Sequence, residues 1–392
     1  MKITLVTKTS HLIGGVETYL RDLLVGLPER GVEASFFSEE GPGAATRAED
    51  NAAAAPWHAG ARHLPSVSDV VAWKPDLLFV HGLNSPGLER DLISRVPSVF
   101  FAHNYDSTCI SGLKRWSRPE WVACSKALGP ACLAHYFVNG CGGKNPLTMV
   151  EQYRRRTKLR DNLDQYRKIV THSRWMQQEY ARHVTDPGKV ARIPFLVSLE
   201  NPPVANRAPS AVWRIGFLGR FETAKGGQVL IQAASALQNL SRPVEIWFMG
   251  EGSETAAWKQ LAARHGNARV SFRFWTFGSA VNEYLAQLHL LAVPSLWPEP
   301  FGRVGIEAAA QGVPSVAFAL GGVEDWLEPL KTGVLVPLSA KPAQSFADGI
   351  TTLLESGHLA DFQSRARAST EKFSKAHHLN ALMPLLESAV TG

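Results

Sequence analysis

The chain has 392 residues, 45% of them hydrophobic and 19% charged, with a formal net charge of +6. That length exceeds one ordinary core and suits two domains of roughly 150–200 residues each. No run of about 18 uninterrupted apolar residues occurs, which argues against a membrane-spanning helix. The opening MKITLVTKTS reads as a strand rather than a secretory signal, so the expected compartment is the cytoplasm.

In chain order, KITLVT is a strand and VETYLRDLLVGLPERG has helical apolar spacing, with Gly31 suited to a cap. EASFFS, a long Gly/Ala-rich connection, PDLLFVHG and PSVFFAHN follow, and KIVTHS and VARIPF extend the series. Continuous apolar runs separated by helices predict a parallel sheet covered on both faces. Near residue 200, LENPPVANRAPSAVW is rich in Pro, Asn and Ser and reads as a linker. The alternation then restarts with RIGFLG and a helix from about Gly227, then VEIWFMG, VSFRFW and LLAVPS, each followed by a helix, and finally PSVAFA. SFADGITTLLESG and LNALMPLLESAV close the chain as helices. The expectation is an α/β protein of two Rossmann-like, doubly wound domains, 1–203 and 204–374, facing a central cleft. The helix at about 375–392 is expected to pack back on the first domain.

Ligands of such sheets bind at the carboxyl ends of the strands, and several of these ends carry unusual residues. Gly14 and Gly15 precede a helix in GGVETYL, and Gly321 and Gly322 repeat the GGVE pattern in ALGGVEDWL. Bare backbone N–H groups at a helix start suit a phosphate, although a tight turn explains either pair alone. The pattern is not G-x-G-x-x-G, so no dinucleotide cofactor is expected. GFLGRFETAKGG offers Arg220 and Lys225, which together can neutralise a diphosphate. His81 and His103 end strands, and His103 stands in HNYDS beside Asn104 and Asp106, where a sugar hydroxyl or phosphate can be received. Arg154, Arg155, Arg156, Lys158 and Arg160 form a basic run. Without an RNA-binding aromatic signature or zinc-finger spacing, this run suggests phosphates or an anionic membrane face rather than nucleic acid.

PEPFGRVGIEA sets Glu299 and Glu307 eight positions apart. An unbroken helix would leave them about 80° apart, but Pro300 and Gly302 turn the first part into a loop that frees Glu299 to swing over the helix start. Alone, this describes a helix-start acid and an ordinary helix glutamate. Yet GFLGRFETAKGG, WFMGEGSE, PSLWPEPFGRVGIEAAAQGVPSVAFALGGVEDWL and TGVLVP follow in that order between residues 216 and 337. This order resembles the carboxy-terminal domain of retaining family 4 glycosyltransferases of the GT-B fold, with their E-x7-E motif. GGVETYL and the histidine after VFFA resemble the amino-terminal domain of the same family.

The resemblance implies transfer of a hexose from a nucleoside-diphosphate sugar to a saccharide or lipid-linked acceptor, in cell-surface polysaccharide or glycoconjugate synthesis. It implies retention by a front-face route in which the leaving phosphate takes the acceptor's proton. Glu299 would face the donor sugar, with the amides of Phe301 and Gly302 near its hydroxyls, and Glu307 would accept from the ribose. Arg220 and Lys225 would hold the diphosphate, Gly14 and Gly15 would close on it, and His103 would lie beside the sugar. The base would lie near 273–277, where Thr276 replaces a usual glycine; His289 stands where an acid is common. UDP, GDP and ADP therefore all stay open. With two cations at the diphosphate, neither a metal nor a cofactor is required. A sugar-nucleotide epimerase or hydrolase of the same fold is one alternative, and a non-catalytic sugar-nucleotide-binding protein is another.

All four cysteines, Cys109, Cys124, Cys132 and Cys141, lie in one window at spacings of 15, 8 and 9. A cytoplasmic chain argues against disulfides. The alternatives are a structural zinc, for which close C-x-x-C pairs are lacking, and four buried apolar thiols. Lys114, Arg115, Trp116, Arg118 and Trp121 share the window. They are expected to line the acceptor side and grip a sugar polymer, a lipid-linked acceptor or the membrane's inner face, unless they are plain packing.

Overall fold

The computed structural model describes residues 1–10, 15–40, 62–197, 210–275 and 281–391. The chain divides into two compact units: Met1–Lys114, Ser125–Ser198 and Phe373–Gly392 form the first, and Arg115–Cys124 with Leu199–Lys372 the second.

The strands in chain order are β1 (Lys2–Thr7), β2 (Glu33–Ser38), β3 (Arg62–His63), β4 (Leu77–Val80), β5 (Ser98–Phe101), β6 (Arg115–Trp116), β7 (Val122–Ala123), β8 (Lys168–Thr171) and β9 (Val190–Arg192). The first unit's sheet runs β3-β2-β1-β4-β5-β8-β9, with every pair parallel. β4 and β5 are buried along their whole length. Covered on both faces, they need apolar residues at every position, hence the unbroken runs in the sequence. Ser85 and Ser173 start the helices Pro86–Arg95 and Arg174–Ala181, each hydroxyl accepting from the N–H three residues on.

The helix expected from VETYLRDLLVGLPERG is shorter than its pattern. It spans Gly15–Gly26, and a separate 3₁₀ turn, Pro28–Arg30, ends at Gly31 with φ 74°. Pro28 has no N–H to continue the ladder. Helix Lys375–Thr391 belongs to the first unit, where Leu379, Leu382 and Leu386 are buried. Each such leucine contributes about 1.5–3 kcal/mol. His378 of this helix sets Nε2 2.9 Å from the Tyr19 hydroxyl.

The second unit holds β10 (Trp213–Leu218), β11 (Val244–Met249), β12 (Val270–Trp275), β13 (Leu290–Val293), β14 (Ser315–Phe318) and β15 (Gly333–Val336), in the order β12-β11-β10-β13-β14-β15. Phe217, Phe248, Trp258, Phe318 and Phe346 lie in its core, and Trp121, from the antiparallel ribbon β6–β7, packs against it. Arg115 of that ribbon sits over the Trp121 ring at 3.9 Å. Strand order reverses between β1 and β4 in the first unit and between β10 and β13 in the second. Ligands of doubly wound sheets bind at such switch points. No described helix is long and apolar enough to cross a membrane.

Candidate active site

The loops leaving β10 and β13 meet at the second unit's switch point. After β10 the chain makes the 3₁₀ turn Thr223–Lys225, which Gly226 ends at φ 73°. A Cβ on Gly226 would lie 1.7 Å from the Pro294 carbonyl oxygen, so only glycine allows the two loops to touch. The Leu296 N–H donates to the Ala224 carbonyl at 2.8 Å and fixes the contact. Lys225 is thereby presented to the loop after β13. Its Nζ donates to Glu299 Oε1 and Oε2 at 2.8 and 3.1 Å and lies 5.1 Å from the centre of the Trp297 ring.

Glu299 is 5% exposed. Its Oε1 also accepts from the Ser295 hydroxyl at 2.5 Å and the Trp297 indole N–H at 3.0 Å. From behind, the Gly322 N–H donates to the Glu299 carbonyl at 2.6 Å. Gly321, at φ 70°, comes so close that a Cβ would lie 2.3 Å from that carbonyl oxygen. Two expectations change here. Glu299 does not swing over the helix start, because three side-chain donors hold it. The second GGVE does not open a helix toward an anion: it starts the short turn Gly322–Asp325, with the Gly322 N–H turned onto Glu299.

Phe301 is buried, and its carbonyl accepts from the Trp326 indole at 2.6 Å. Gly302, at φ 89°, leads into helix Arg303–Ala310. Glu307 lies on that helix, with Arg303 Nε donating to its Oε1 at 2.7 Å. Arg220 is largely exposed and pairs with Glu222 at 2.8 Å. Lys225 and Glu299 are thus in direct contact, whereas Arg220 and Glu307 pair with near neighbours in sequence. His289 is buried below the sheet's working end, its Nδ1 accepting from the Arg214 N–H at 3.0 Å.

At the first unit's switch point, Lys8 follows β1 and its Nζ donates to Asp106 Oδ2 at 2.8 Å. Arg156, on helix Pro146–Asn162, takes the other oxygen, Oδ1. Burial alone would raise the Asp106 pKa, but Lys8 and Arg156 outweigh it and hold it at about 2. The Asp106 N–H donates to Asn104 Oδ1 at 2.8 Å, so this pair is tied into the protein rather than left open for a hydroxyl.

His81, His103 and His172 stand after β4, β5 and β8, which are neighbours in the sheet. His81 Nδ1 lies 2.8 Å from His103 Nε2. Burial lowers the pKa of His81 and of His172 to about 3. Burial, with His81, His172 and Lys8 nearby, also takes His103 well below its ordinary value. These rings are neutral at pH 7 and so offer hydrogen bonds rather than charge. Gly15 opens its helix exposed to solvent, while Gly14 and Thr276 lie outside the described residues.

Residues 13–201 match the family model Glycosyltransferase Family 4, and residues 202–372 match Glycosyl transferases group 1. The chain belongs to the family 4 glycosyltransferases. It is 36% identical over 146 residues to a D-inositol 3-phosphate glycosyltransferase of Mycobacteroides abscessus, a match covering 36% of this chain and 31% of that protein. Similarity to the Mycobacterium tuberculosis H37Ra protein of the same name is 26% over 405 residues, covering 96% of this chain and 79% of that one. Matches at 29–36% identity span from about a third to half of those relatives' length. Among solved structures, Anabaena HepE in complex with UDP is similar at a TM-score of 0.68 and 20% identity, covering 99% of this chain and 100% of that one. Sucrose-phosphate synthase of Thermosynechococcus elongatus reaches 0.68 at 19%, covering 99% of each. The fold is GT-B, with two Rossmann-like domains.

In this glycosyltransferase the cysteines do not converge. Cys109 Sγ accepts from the Lys114 N–H at 3.3 Å, Cys132 Sγ faces the Ala127 carbonyl at 3.8 Å, and Cys141 Sγ donates to the His135 carbonyl at 3.3 Å. Cys124 belongs to the other unit. Among the described residues no three His, Cys, Asp or Glu side chains are grouped to hold a metal ion. The zinc reading gives way to separate thiols, of which only Cys109 and Cys141 are buried. Lys114, expected to grip an acceptor, is instead 1% exposed and paired with Glu179 at 2.5 Å. The sequence reading also missed Ser295, Trp297 and Lys8, and it took Arg156 only as one member of the basic run. Ser295 and Trp297 stand four and two residues before Glu299, in PSLWPE, and Lys8 directly follows a strand, which is their only signal.

Proposed function

We propose that this glycosyltransferase moves a hexosyl group, with retention, from a nucleoside-diphosphate sugar to a saccharide or lipid-linked acceptor in cell-surface polysaccharide or glycoconjugate synthesis. The observation that carries the reading is the Lys225–Glu299 pair, a cation and an acid fixed side by side at a switch point. It is supported by the relatives named D-inositol 3-phosphate glycosyltransferase and by HepE, solved with UDP and with UDP-glucose. UDP therefore heads the nucleotides to test, followed by GDP and ADP.

As the bond between the sugar's C1 and the diphosphate oxygen breaks, the leaving group gains negative charge. Lys225 meets that charge from a fixed position. Arg220 joins it by leaving Glu222, an exposed kind of pairing worth about 0–1 kcal/mol. Glu299 and the Phe301–Gly302 turn take the sugar hydroxyls, Glu307 takes the ribose, and His103, Gly14 and Gly15 serve the sugar and diphosphate. The acceptor oxygen bonds to C1 on the face the diphosphate leaves, and its proton passes to the departing phosphate oxygen. Two cations here replace a divalent metal.

Thermal unfolding with UDP-, GDP- and ADP-hexoses should show one series raising the Tm, since stabilisation follows RT ln(1 + [L]/Kd). Transfer should survive EDTA. A Tm unmoved by all three series overturns the donor reading. Activity lost to chelation and restored only by Mg²⁺ or Mn²⁺ overturns the charge assignment. Free hexose or an epimerised nucleotide as the sole product favours the hydrolase or epimerase alternative.

One feature favours a lipid-linked acceptor at the membrane's inner face. Phe137 and Val138 end helix Ala131–Val138, Leu147 and Val150 begin helix Pro146–Asn162, and all four are exposed. Arg154 and Lys158, also exposed, continue the Leu147 face at helical spacing. An apolar tip flanked by cations suits anionic headgroups. Phosphatidylcholine vesicles doped with phosphatidylglycerol should pull down more protein than undoped ones, and Leu147→Glu should reverse the difference. Equal recovery from both vesicle types overturns the membrane reading.

A further inference from the structure

His81 and His103 stand at the ends of paired strands, with Val80 opposite Phe100 in the register. A neutral imidazole carries one N–H and one bare nitrogen. At 2.8 Å between His81 Nδ1 and His103 Nε2, one ring must donate and the other accept. Both rings are neutral at pH 7, because burial lowers His81 to about 3 and takes His103 well below its ordinary value.

The surroundings of His81 decide the direction. It is 6% exposed, and its Nε2 is buried with no hydrogen-bond partner among the described residues. The rings of Phe79, Phe101 and Tyr19 enclose it, with centroids at 4.5, 5.7 and 5.8 Å. Were the His81 proton on Nε2, that N–H would point at no acceptor, and orphaned buried N–H groups are rarer than orphaned acceptors. The proton therefore belongs on His81 Nδ1, aimed at His103 Nε2. His103 must then carry its own proton on Nδ1, which makes no hydrogen bond among the described residues, on a residue that is only half-buried.

We propose that His81 is a positioning residue that fixes His103 as an Nδ1–H donor directed at an oxygen of the sugar or phosphate. The proposal rests on the reading of His103 as a donor-sugar residue. A phosphate oxygen only accepts hydrogen bonds, so the opposite tautomer would present a bare nitrogen to it.

The test begins without substrate. In protein labelled with ¹⁵N-histidine, long-range ¹H–¹⁵N spectra report the tautomer of each ring, and the signals lost in His103→Gln identify that residue. Protonation of His103 on Nδ1 is expected; protonation on Nε2 overturns the proposal. His81→Phe keeps the bulk and removes the donor, and it should lower kcat about tenfold at unchanged nucleoside-diphosphate affinity. His81→Asn, which returns an N–H near the Nδ1 position, should recover most of that loss. Equal loss in both variants reduces His81 to packing and overturns the proposal. If His103→Ala retains full turnover, the donor-site reading fails on its own, while the spectra still report the proton assignment.

Discussion

Lys225 and Glu299 are bound to each other, and this governs what their variants do. Glu299→Gln removes the charge that Lys225 now balances and leaves the lysine fully available to the diphosphate. Nucleoside-diphosphate affinity in this variant should hold or tighten while turnover collapses. Lys225→Ala leaves a buried carboxylate with only Ser295 and Trp297, so it should lower both the Tm and nucleotide affinity. Because the two side chains touch, the double variant should depart from additivity by about 0.5–3 kcal/mol. The task proposed for Glu307 is different. Charge-assisted bonds to ribose are worth about 1.5–3 kcal/mol, so Glu307→Ala should weaken the bare nucleoside diphosphate about 10- to 150-fold. Calorimetry with the nucleoside diphosphate, run beside transfer rates, checks all of these. Equal affinity losses in Glu299→Gln and Glu307→Ala would mean the acids share one role.

Between elements, the contacts that set the site are backbone contacts between loops, and Gly226 shows their tolerance. Gly226→Ala adds strain of about 1–3 kcal/mol at its φ and drives a methyl into the Pro294 carbonyl. Gly31→Ala has a similar φ but nothing within 4 Å of its Cβ, so only the strain applies. Thermal unfolding and transfer rates should show Gly226→Ala losing stability and activity together, and Gly31→Ala losing a little stability alone. Similar losses in both would mean the loop contact is unimportant. The strands themselves were legible because parallel sheets bury both faces and write themselves as apolar runs such as LLFV and LLAV. The E-x7-E spacing and the lysine loop were legible because their residues are close in sequence. The Lys8–Asp106–Arg156 clamp was not, since its members lie 98 and 50 positions apart. Nor did the second GGVE reveal its task, because the same four residues open a helix or clamp a loop according to what lies across from them. Lys114 looked like a surface cation for a similar reason: its partner, Glu179, is remote in the chain.

At the scale of the whole molecule, acid should be the protein's weakness. Burial lowers His81 and His172 to about 3 and His183 and His378 to about 4. Above about 6.5 neither the folded nor the unfolded chain protonates these rings. Below it the unfolded chain takes up protons that the folded one refuses, so stability drains away as pH falls toward 4. Glu89, raised to about 7 by burial, works in the opposite sense down to 4.5, but it and Glu179, also raised by burial, stand against these four histidines and His103. The Tm should drop on the order of 10 °C between pH 7 and 5; a flat profile across that window contradicts the burial of these histidines. All four belong to the first unit, and that unit has a peculiarity of timing. It is begun by Met1–Lys114 but includes Phe373–Gly392, whose His378 meets Tyr19 and whose Leu379, Leu382 and Leu386 are buried. On the ribosome, every residue of the second unit is made before that helix emerges. At roughly 5–20 residues per second, the stretch 199–372 holds the first unit open for on the order of 10–35 s. The half of the molecule begun first is therefore finished last, and the surface that will receive the helix stays bare to chaperones and proteases until the other half is complete.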